Sequence, residues 1–282
     1  MKDVTTTNDS FDNSGVTQLK IYGDDKNKTT QDNTEGEQPW NQIKSQITDV
    51  TIGETLTTLG TYLFEGLRGM QTITIPSSVT TISEGTFKSS GLTTLTLPNT
   101  VETLGTSSFE SCQQLGSVSI GTGITEIPTS AFNGSVALNN VVIPSNVEII
   151  GNEAFSECKG LTSLTLTNLK ETATIGQQSF YDCDGLKSIT IPKVKSIGTD
   201  AFSNSEKLAY VEYKGMSYQC EVVVPFVGIN VQIVETCSEQ ANGNTFEWTL
   251  CCDHLLIRLD YSGEMQHFPL LTPYNEKQET TD

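Results

Sequence analysis

Seven phenylalanines recur at nearly equal intervals along the middle of the chain. They are Phe64, Phe87, Phe109, Phe132, Phe155, Phe180 and Phe202, separated by steps of 23, 22, 23, 23, 25 and 22 residues. Repeats with periods of about 20 to 50 residues are typical of architectures in which each unit must stack on its neighbours to bury an apolar face. The spacing therefore predicts a solenoid with one phenylalanine per coil, and a function on an extended surface rather than catalysis.

Each phenylalanine is preceded by a segment in which apolar and polar residues alternate, as in residues 70–76, 92–98 and 186–192. Alternation with a period of two residues is typical of a strand, and the closing proline ends the strand because it has no amide hydrogen to donate. The pattern predicts eight strands in consecutive coils. Their central apolar pairs are Val50/Ile52, Ile73/Ile75, Leu95/Leu97, Val118/Ile120, Val141/Ile143, Leu164/Leu166, Ile189/Ile191 and Val211/Tyr213.

The residues between strand and phenylalanine, and those just after the phenylalanine, also repeat. A second apolar pair such as Val79/Ile82 follows the strand, and the phenylalanine comes five residues later. We expect the phenylalanines to stack as one interior column. Three residues further on stand Cys112, Cys158 and Cys183, and the other coils have Leu67, Ser90, Ser135 and Ser205 there. Small residues indicate a tight interior slot with buried free thiols, the alternative being a disulfide between the last two cysteines in adjacent coils.

The unit consensus is L-x-x-[IVL]-x-[IVL]-P-x-x-[VI]-x-x-[IL]-x-x-x-x-F-x-x-[C/S]. It resembles the BspA-like leucine-rich repeats on surface proteins of anaerobic bacteria and mucosal protozoan parasites, and the resemblance covers residues 47–214, about eight coils. It implies a repeat solenoid that is mainly β, with parallel strands, short turns or 3-10 segments, and a right-handed superhelix. It also implies a non-enzymatic protein-binding or adhesion module, a surface antigen that contacts host or matrix proteins.

The N-terminal region, residues 1–46, resembles the cap that precedes the repeats in this family. It is predicted to contain a disordered start over residues 1–15 and a cap strand within residues 19–23. The insert at residues 24–38 is rich in acidic and amide side chains. Because this composition cannot form a core, it predicts a mobile surface loop.

The C-terminal region, residues 215–282, resembles the start of another cap. It predicts a β hairpin in which residues 245–250 precede the strand at 257–259, and a disordered tail at 275–282. The hairpin either seals the last coil, since an exposed terminal strand is prone to aggregate, or begins a second array on a longer chain. Four cysteines in this region hold one or two disulfides or none, and the lack of a C-x-x-C pair disfavours zinc binding with His254. They are Cys220, Cys237, Cys251 and Cys252.

Composition and motifs exclude several classes of function. With 34 acidic and 16 basic residues, the net charge of -18 disfavours nucleic acid and anionic lipid as partners. The two histidines and the absence of hydrolase, metalloprotease or nucleotide-binding strings predict no catalytic residue, metal, cofactor or small-molecule substrate. No secretory signal is visible at the start, and the most apolar stretch, residues 222–234, is too short and polar to span a bilayer. Surface localisation is thus implied by the resemblance alone, and a cytoplasmic scaffold for protein–protein interaction is the alternative.

The strand residues that flank the buried pairs are expected to point outward and to line a face, called here the hydroxyl face. Protein recognition there would use aromatic anchors at less regular positions such as Trp40, Tyr210 and Tyr213. Alternatively, the hydroxyls only keep the sheet soluble, or they order water or ice, although Asn140 and Val142 interrupt the columns that ice binding requires. The hydroxyl face comprises Thr72, Thr74, Thr94, Thr96, Ser117, Ser119, Asn140, Val142, Ser163, Thr165, Ser188, Thr190, Tyr210 and Glu212.

Overall fold

The computed structural model describes residues 4–5, 17–21, 29–30, 32–38, 40–208, 210–213, 230–235 and 255–260. Within these ranges the chain forms a parallel β-solenoid, which makes six turns between Phe64 and Phe202, and one 3-10 helix, Lys44–Gln46. The strands are β1 (Val4–Thr5), β2 (Thr17–Ile21), β3 (Ile47–Ile52), β4 (Thr58–Leu59), β5 (Thr81–Ile82), β6 (Thr94–Thr96), β7 (Thr103–Leu104), β8 (Ser117–Ser119), β9 (Glu126–Ile127), β10 (Asn140–Val142), β11 (Ile149–Ile150), β12 (Ser163–Thr165), β13 (Thr174–Ile175), β14 (Ser188–Ile191), β15 (Ser196–Ile197), β16 (Tyr210–Tyr213), β17 (Asn230–Glu235) and β18 (Leu255–Asp260).

One row of parallel strands carries the alternating segments. β6, β8, β10 and β12 pair in register, so that Leu95 lies beside Val118 and Val141 beside Leu164. β14 and β16 form a further parallel pair that extends the row. In β6, β8 and β10 the middle residue is buried and both neighbours are exposed, because successive side chains of a strand point to opposite faces of the sheet.

Seven of the eight predicted strands are present, and the prediction of a strand within residues 70–76 is wrong. The expected burial pattern holds in part, since Thr72 and Thr74 are exposed and Ile75 is buried, whereas Ile73 is only half-buried. However, the backbone of this segment does not form the repeated hydrogen bonds of a strand. The amide of Thr93 donates to the carbonyl of Gln71 at 2.8 Å. Alternation predicts which side chains are buried, whereas a strand also requires repeated hydrogen bonds to a neighbour.

The apolar pairs that follow the long strands form a second row of strands, which the sequence pattern does not predict. β4, β5 and β7 pair in parallel, and so do β9, β11, β13 and β15. Ile82 lies beside Leu104, and Ile150 beside Ile175. These strands are two residues long, too short for an alternation of apolar and polar residues to be recognised.

The phenylalanine turns form the third side of each coil. All seven rings are fully buried, and consecutive rings stack with centroids 5.1 to 5.3 Å apart. Five pairs are nearly parallel, with interplanar angles of 3 to 7°, whereas Phe64 and Phe87 are tilted by 28°. This is the continuous interior column that the spacing predicts.

Backbone hydrogen bonds join successive phenylalanine turns. The amide of Phe87 donates to the carbonyl of Ser108, and that of Phe132 to the carbonyl of Ala154, each at 2.8 Å. The residues two before and two after each phenylalanine are left-handed in all seven turns, with φ of 50 to 70°, and only three of these fourteen are glycine. The left-handed conformation costs a non-glycine residue about 1–2 kcal/mol. Hydrogen bonds between coils offset this cost, as from Ser130 to the carbonyl of Asn152 at 2.9 Å.

The predicted cap strand is present at the N-terminal edge. β2 pairs in parallel with β3 and buries Leu19 and Ile21. β1 pairs antiparallel with the free edge of β2, so the prediction of a disordered start is wrong for Val4 and Thr5. The rest of residues 1–15 lies outside the described ranges.

Residues 29–30 and 32–38 of the acidic insert, which was predicted to be a mobile loop, lie against the first coil, while residues 24–28 and 31 lie outside the described ranges. The amide of Asn33 donates to the carbonyl of Thr61 at 3.1 Å, and the amide of Thr61 donates to the Asp32 carboxylate at 2.9 Å. The first coil has unpaired backbone groups at this edge, and the insert pairs with them. The edge of the solenoid requires hydrogen-bond donors and acceptors for its backbone groups. A polar segment can supply them without forming a hydrophobic core.

At the C-terminal edge, β18 pairs antiparallel with β16, and β17 pairs antiparallel with β18. The added strands therefore seal the last parallel strand of the long row, as one of the two predicted alternatives requires. The partner strand in this hairpin is β17, however, and the predicted partner, residues 245–250, lies outside the described ranges. Residues 230–234 of β17 belong to the most apolar stretch, residues 222–234, whose apolar side chains are compatible with a strand.

Candidate binding face

The hydroxyl face is largely open to solvent. Among its twelve members whose side chains are described, ten are exposed, and Thr165 and Thr190 are half-buried. The strand register aligns them in two columns, in which Thr94 lies beside Ser117 and Thr96 beside Ser119. For Tyr210 and Glu212 the structure describes the backbone register only, which places them beside Ser188 and Thr190.

No charged residue occurs in five consecutive segments of this face. Residues 70–76, 92–98, 115–121, 138–144 and 161–167 contain no aspartate, glutamate, lysine or arginine, although the whole chain has a net charge of -18. The charged residues of these coils lie on the other two sides. The centre of the face is consequently polar and uncharged.

The aromatic anchors predicted for this face are not available there in the described part of the chain. Trp40 is only 3% exposed and belongs to the core beneath the N-terminal edge, so its prediction as an anchor is wrong. The side chains of Tyr210 and Tyr213 lie outside the described atoms. Among the described side chains of the face, the largest exposed apolar group is Val142, at 49% exposure, in strand β10. Within the repeats, the alternation of apolar and polar residues predicts which side of the sheet each side chain occupies. Trp40 lies before the repeats, so this alternation does not predict its orientation.

The cysteine slot of the repeat has a specific role inside the solenoid. Cys112, Cys158 and Cys183 are buried free thiols, as predicted. Each donates to the carbonyl of the phenylalanine in the preceding coil, as Cys158 does to Phe132 at 3.3 Å. Ser135 makes the same bond to Phe109 at 3.1 Å, which explains why both cysteine and serine occur at this position. Burial raises the pKa of the Cys112 thiol to about 11 and that of the other two further, so these thiols stay protonated at neutral pH.

Charged groups with shifted pKa values lie away from the hydroxyl face, near the phenylalanine turns. Hydrogen bonding to Glu35, with a further contribution from Glu110, raises the pKa of Lys88 above its usual value although burial opposes the shift. Burial, followed by a hydrogen bond to Glu84, raises the pKa of Tyr62 to about 12. These groups stabilise the junction between the insert and the first two coils, and none of them lines the face.

The described residues contain no cluster of three histidine, cysteine or acidic side chains that could hold a metal ion. The four C-terminal cysteines and His254 lie outside those residues. Among the residues that the structure describes, no helix has the length and apolar character to cross a bilayer.

Comparison with known proteins identifies the repeat. The sequence profile of the BspA type leucine-rich repeat region matches residues 42–162 and 149–221 in six copies, and no catalytic family is indicated. No protein in the curated comparison set matches the chain.

Two solved structures have the same type of solenoid. A leucine-rich repeat protein from Eubacterium ventriosum is 26% identical, with a TM-score of 0.51, over 60% of this chain and 44% of its own. One from Bacteroides ovatus is 21% identical, with a TM-score of 0.53, over 69% of this chain and 55% of its own. The chain thus spans about half the length of these two proteins. Because the repeat profile covers more than half of its 282 residues, the chain belongs to the BspA-type leucine-rich repeat family.

Proposed function

We propose that this chain is a non-enzymatic protein-binding module of a cell-surface protein, and that it holds a host or matrix protein against the hydroxyl face. The observation that carries the proposal is the absence of charge from five consecutive strand segments in a chain with a net charge of -18. The family membership supports a binding scaffold.

Desolvation of this face costs less than desolvation of the charged sides of the coils. Burying an unpaired charge under a partner costs much more than burying a hydroxyl that finds a hydrogen-bond partner. The acidic groups on the other sides of the coils repel partners of like charge and favour a partner whose rim is basic. Val142, exposed on strand β10, offers an apolar contact.

The binding test compares two identical substitutions in the same coil. Thr96 and Thr103 are both exposed strand residues, but Thr96 lies on the hydroxyl face in β6 and Thr103 lies in β7 of the second row. A panel of purified extracellular matrix proteins is first screened against the wild-type chain. For a protein that binds, we expect Thr96→Glu to weaken affinity by about tenfold or more, and Thr103→Glu to leave it unchanged. Failure of the whole panel, or equal losses in both variants, would refute the proposal.

The second candidate function is an intracellular scaffold that uses the same face. The location of the protein in the cell distinguishes it from a cell-surface protein. Antibody labelling of intact source cells is compared with labelling of permeabilised cells. Signal on intact cells supports the surface protein. Signal only after permeabilisation makes the scaffold the better hypothesis.

A further inference from the structure

A small cavity lies between the phenylalanine turns of the first three coils, just before the chain enters the strand segments at Leu92 and Leu115. Its volume is about 150 Å³. Hydrogen-bonding side chains dominate its lining, and no carboxylate contributes to it. The lining residues are Arg68, Ser89, Ser90, Gly91, Ser111, Gln113 and Gln114. The cavity thus borders the uncharged segments of the hydroxyl face and presents donors to any group that enters it.

Arg68 is an exposed cation without an acidic partner in the described part of the chain. The two acids nearest to the cavity along the sequence are engaged elsewhere. Glu65 accepts from the backbone amide of Gly36 and from Gln38, each at 2.7 Å. Glu110 pairs with Lys88 at 3.5 Å. Exposed lysines of the described part of the chain, such as Lys187 and Lys207, also have no acidic partner, so the feature that distinguishes Arg68 is the cavity beside it.

The repeat provides an internal comparison for Arg68. Lys159 stands at the same place in the fifth coil, four residues after its phenylalanine, and its ammonium group lies 2.9 Å from the Asp182 carboxylate of the next coil. Asp182 stands two residues after Phe180 with φ 57°. This column of the solenoid therefore brings a cation on one coil and a carboxylate on the next coil into contact.

The residue equivalent to Asp182 beside Arg68 is Ser89, two residues after Phe87, with φ 56°. The backbone conformation is the same, but a hydroxyl replaces the carboxylate, and Ser89 lines the cavity. The first two coils thus keep the cation and lack its internal anion.

We propose that the cavity beside Arg68 binds a carboxylate group of a ligand, which takes the role that the Asp182 carboxylate has beside Lys159. Arginine suits this role because its planar guanidinium can donate two parallel hydrogen bonds to a carboxylate. The hydroxyls of Ser89 and Ser111 and the amides of Gln113 and Gln114 supply further donors. The carboxylate belongs to an acidic side chain of the protein held on the hydroxyl face or to a free carboxylic acid, and the first source rests on the proposed function.

The direct test uses acetate as the probe and side-chain NMR of arginine as the readout. The chain has only two arginines, Arg68 and Arg258, so their Nε–H signals are readily assigned with an Arg68→Gln variant. We expect acetate to shift the Arg68 signal saturably in the millimolar range, as suits a single small anion. Neutral acetamide serves as the control and should cause no saturable shift. Parallel, unsaturated shifts of both arginine signals would overturn the proposal.

An exchange of residues between the two equivalent sites makes the test sharper. Ser89→Asp supplies the missing internal carboxylate and should weaken acetate binding by about tenfold or more. Asp182→Ser removes the partner of Lys159 and should create a new acetate response at that lysine. Both substitutions place a residue in a left-handed conformation that its counterpart already adopts, and unchanged circular dichroism checks that the solenoid folds. Acetate binding to Ser89→Asp as strong as to the wild type would refute the comparison.

A second arm identifies the source of the carboxylate. The blocked tripeptide acetyl-Gly-Glu-Gly-amide is compared with its glutamine counterpart and with acetate. Tighter binding of the glutamate peptide than of acetate assigns the site to an acidic protein side chain, and equal binding assigns it to free carboxylic acids. Acetate binding requires no protein partner, so it can be observed even if the hydroxyl face binds no protein. Failure of the carboxylate site and failure of the proposed function are therefore distinguishable.

Discussion

In the middle of the solenoid, each phenylalanine turn is covered by another turn on both sides, whereas the first turn is covered on one side by a polar segment. The Phe132 ring stacks on Phe109 and Phe155, and its amide donates to Ala154. At the N-terminal edge, Gln38 donates to the carbonyl of Tyr62 at 2.9 Å. Ring stacking and backbone pairing hold the middle, while side-chain donors and single backbone amides of the insert close the edge. A segment too polar for a core is ordered there because it satisfies backbone groups.

The largest expected effect comes from breaking the middle of the ring column. Phe132→Ala should destabilise the protein by about 3–5 kcal/mol, because it removes a fully buried ring that has neighbours on both sides. Phe64→Ala should cost less, since Phe64 stacks on one ring only and is tilted by 28°. Urea denaturation followed by circular dichroism measures both, with reduced cooperativity expected for the first variant. Equal losses, or an unchanged melting curve for Phe132→Ala, would contradict the stacked column.

The edge is tested by removing its buried donor. Gln38 is 3% exposed and donates to both Tyr62 and the Glu65 carboxylate. Gln38→Ala should cost about 1–3 kcal/mol, because the carbonyl and carboxylate lose a partner. Glu37→Ala, at the exposed neighbouring position, is the matched control and should have almost no effect. Hydrogen exchange should speed up first in residues 32–38 of the Gln38 variant, and equal exchange in both variants would argue against a closed edge.

The smallest expected effect concerns the ion pair between the insert and the second coil. Lys88 lies 2.9 Å from Glu35, which is half exposed, so Glu35→Gln should cost about 0.2–1 kcal/mol at neutral pH. The hydrogen bond to Glu35 raises the pKa of Lys88 in the folded state. Its stabilisation is therefore complete below the usual lysine pKa and is lost as the pH rises through the higher folded value. Unfolding titrations from neutral to strongly alkaline pH should show wild type and variant converging, and a constant difference would exclude this linkage.

Burial was largely predictable from the sequence, and hydrogen-bond pairing was not. The period of the phenylalanines and the alternation before them correctly predict the ring column, the interior cysteines and most of the long strands. They do not predict the second strand row, or the absence of a strand around Ile73. Apolar patterns indicate which side chains leave water, but they carry little information about the backbone partner of a residue more than 20 positions away.

For the candidate binding face, the sequence predicts which residues lie on one side of the sheet, and ten of the twelve described side chains are indeed exposed. The role of this face in binding stays a proposal. The cavity beside Arg68 was not predicted, because its lining residues come from three different coils and resemble ordinary turn residues. Counting from the phenylalanines shows that Arg68 and Lys159 are equivalent and that Ser89 replaces an acid, but only the stacked turns show that these two positions of adjacent coils come into contact.

The sequence by itself determined the repeat, its period and the interior of each coil, because burial of apolar side chains follows directly from their spacing. Tertiary structure alone decided the left-handed turns and the order of the acidic insert. It also decided the burial of Trp40 and the pairing of β18 with β16. Each of these depends on backbone or polar groups being satisfied by a neighbouring coil or strand, and that neighbour exists only once the coils have stacked.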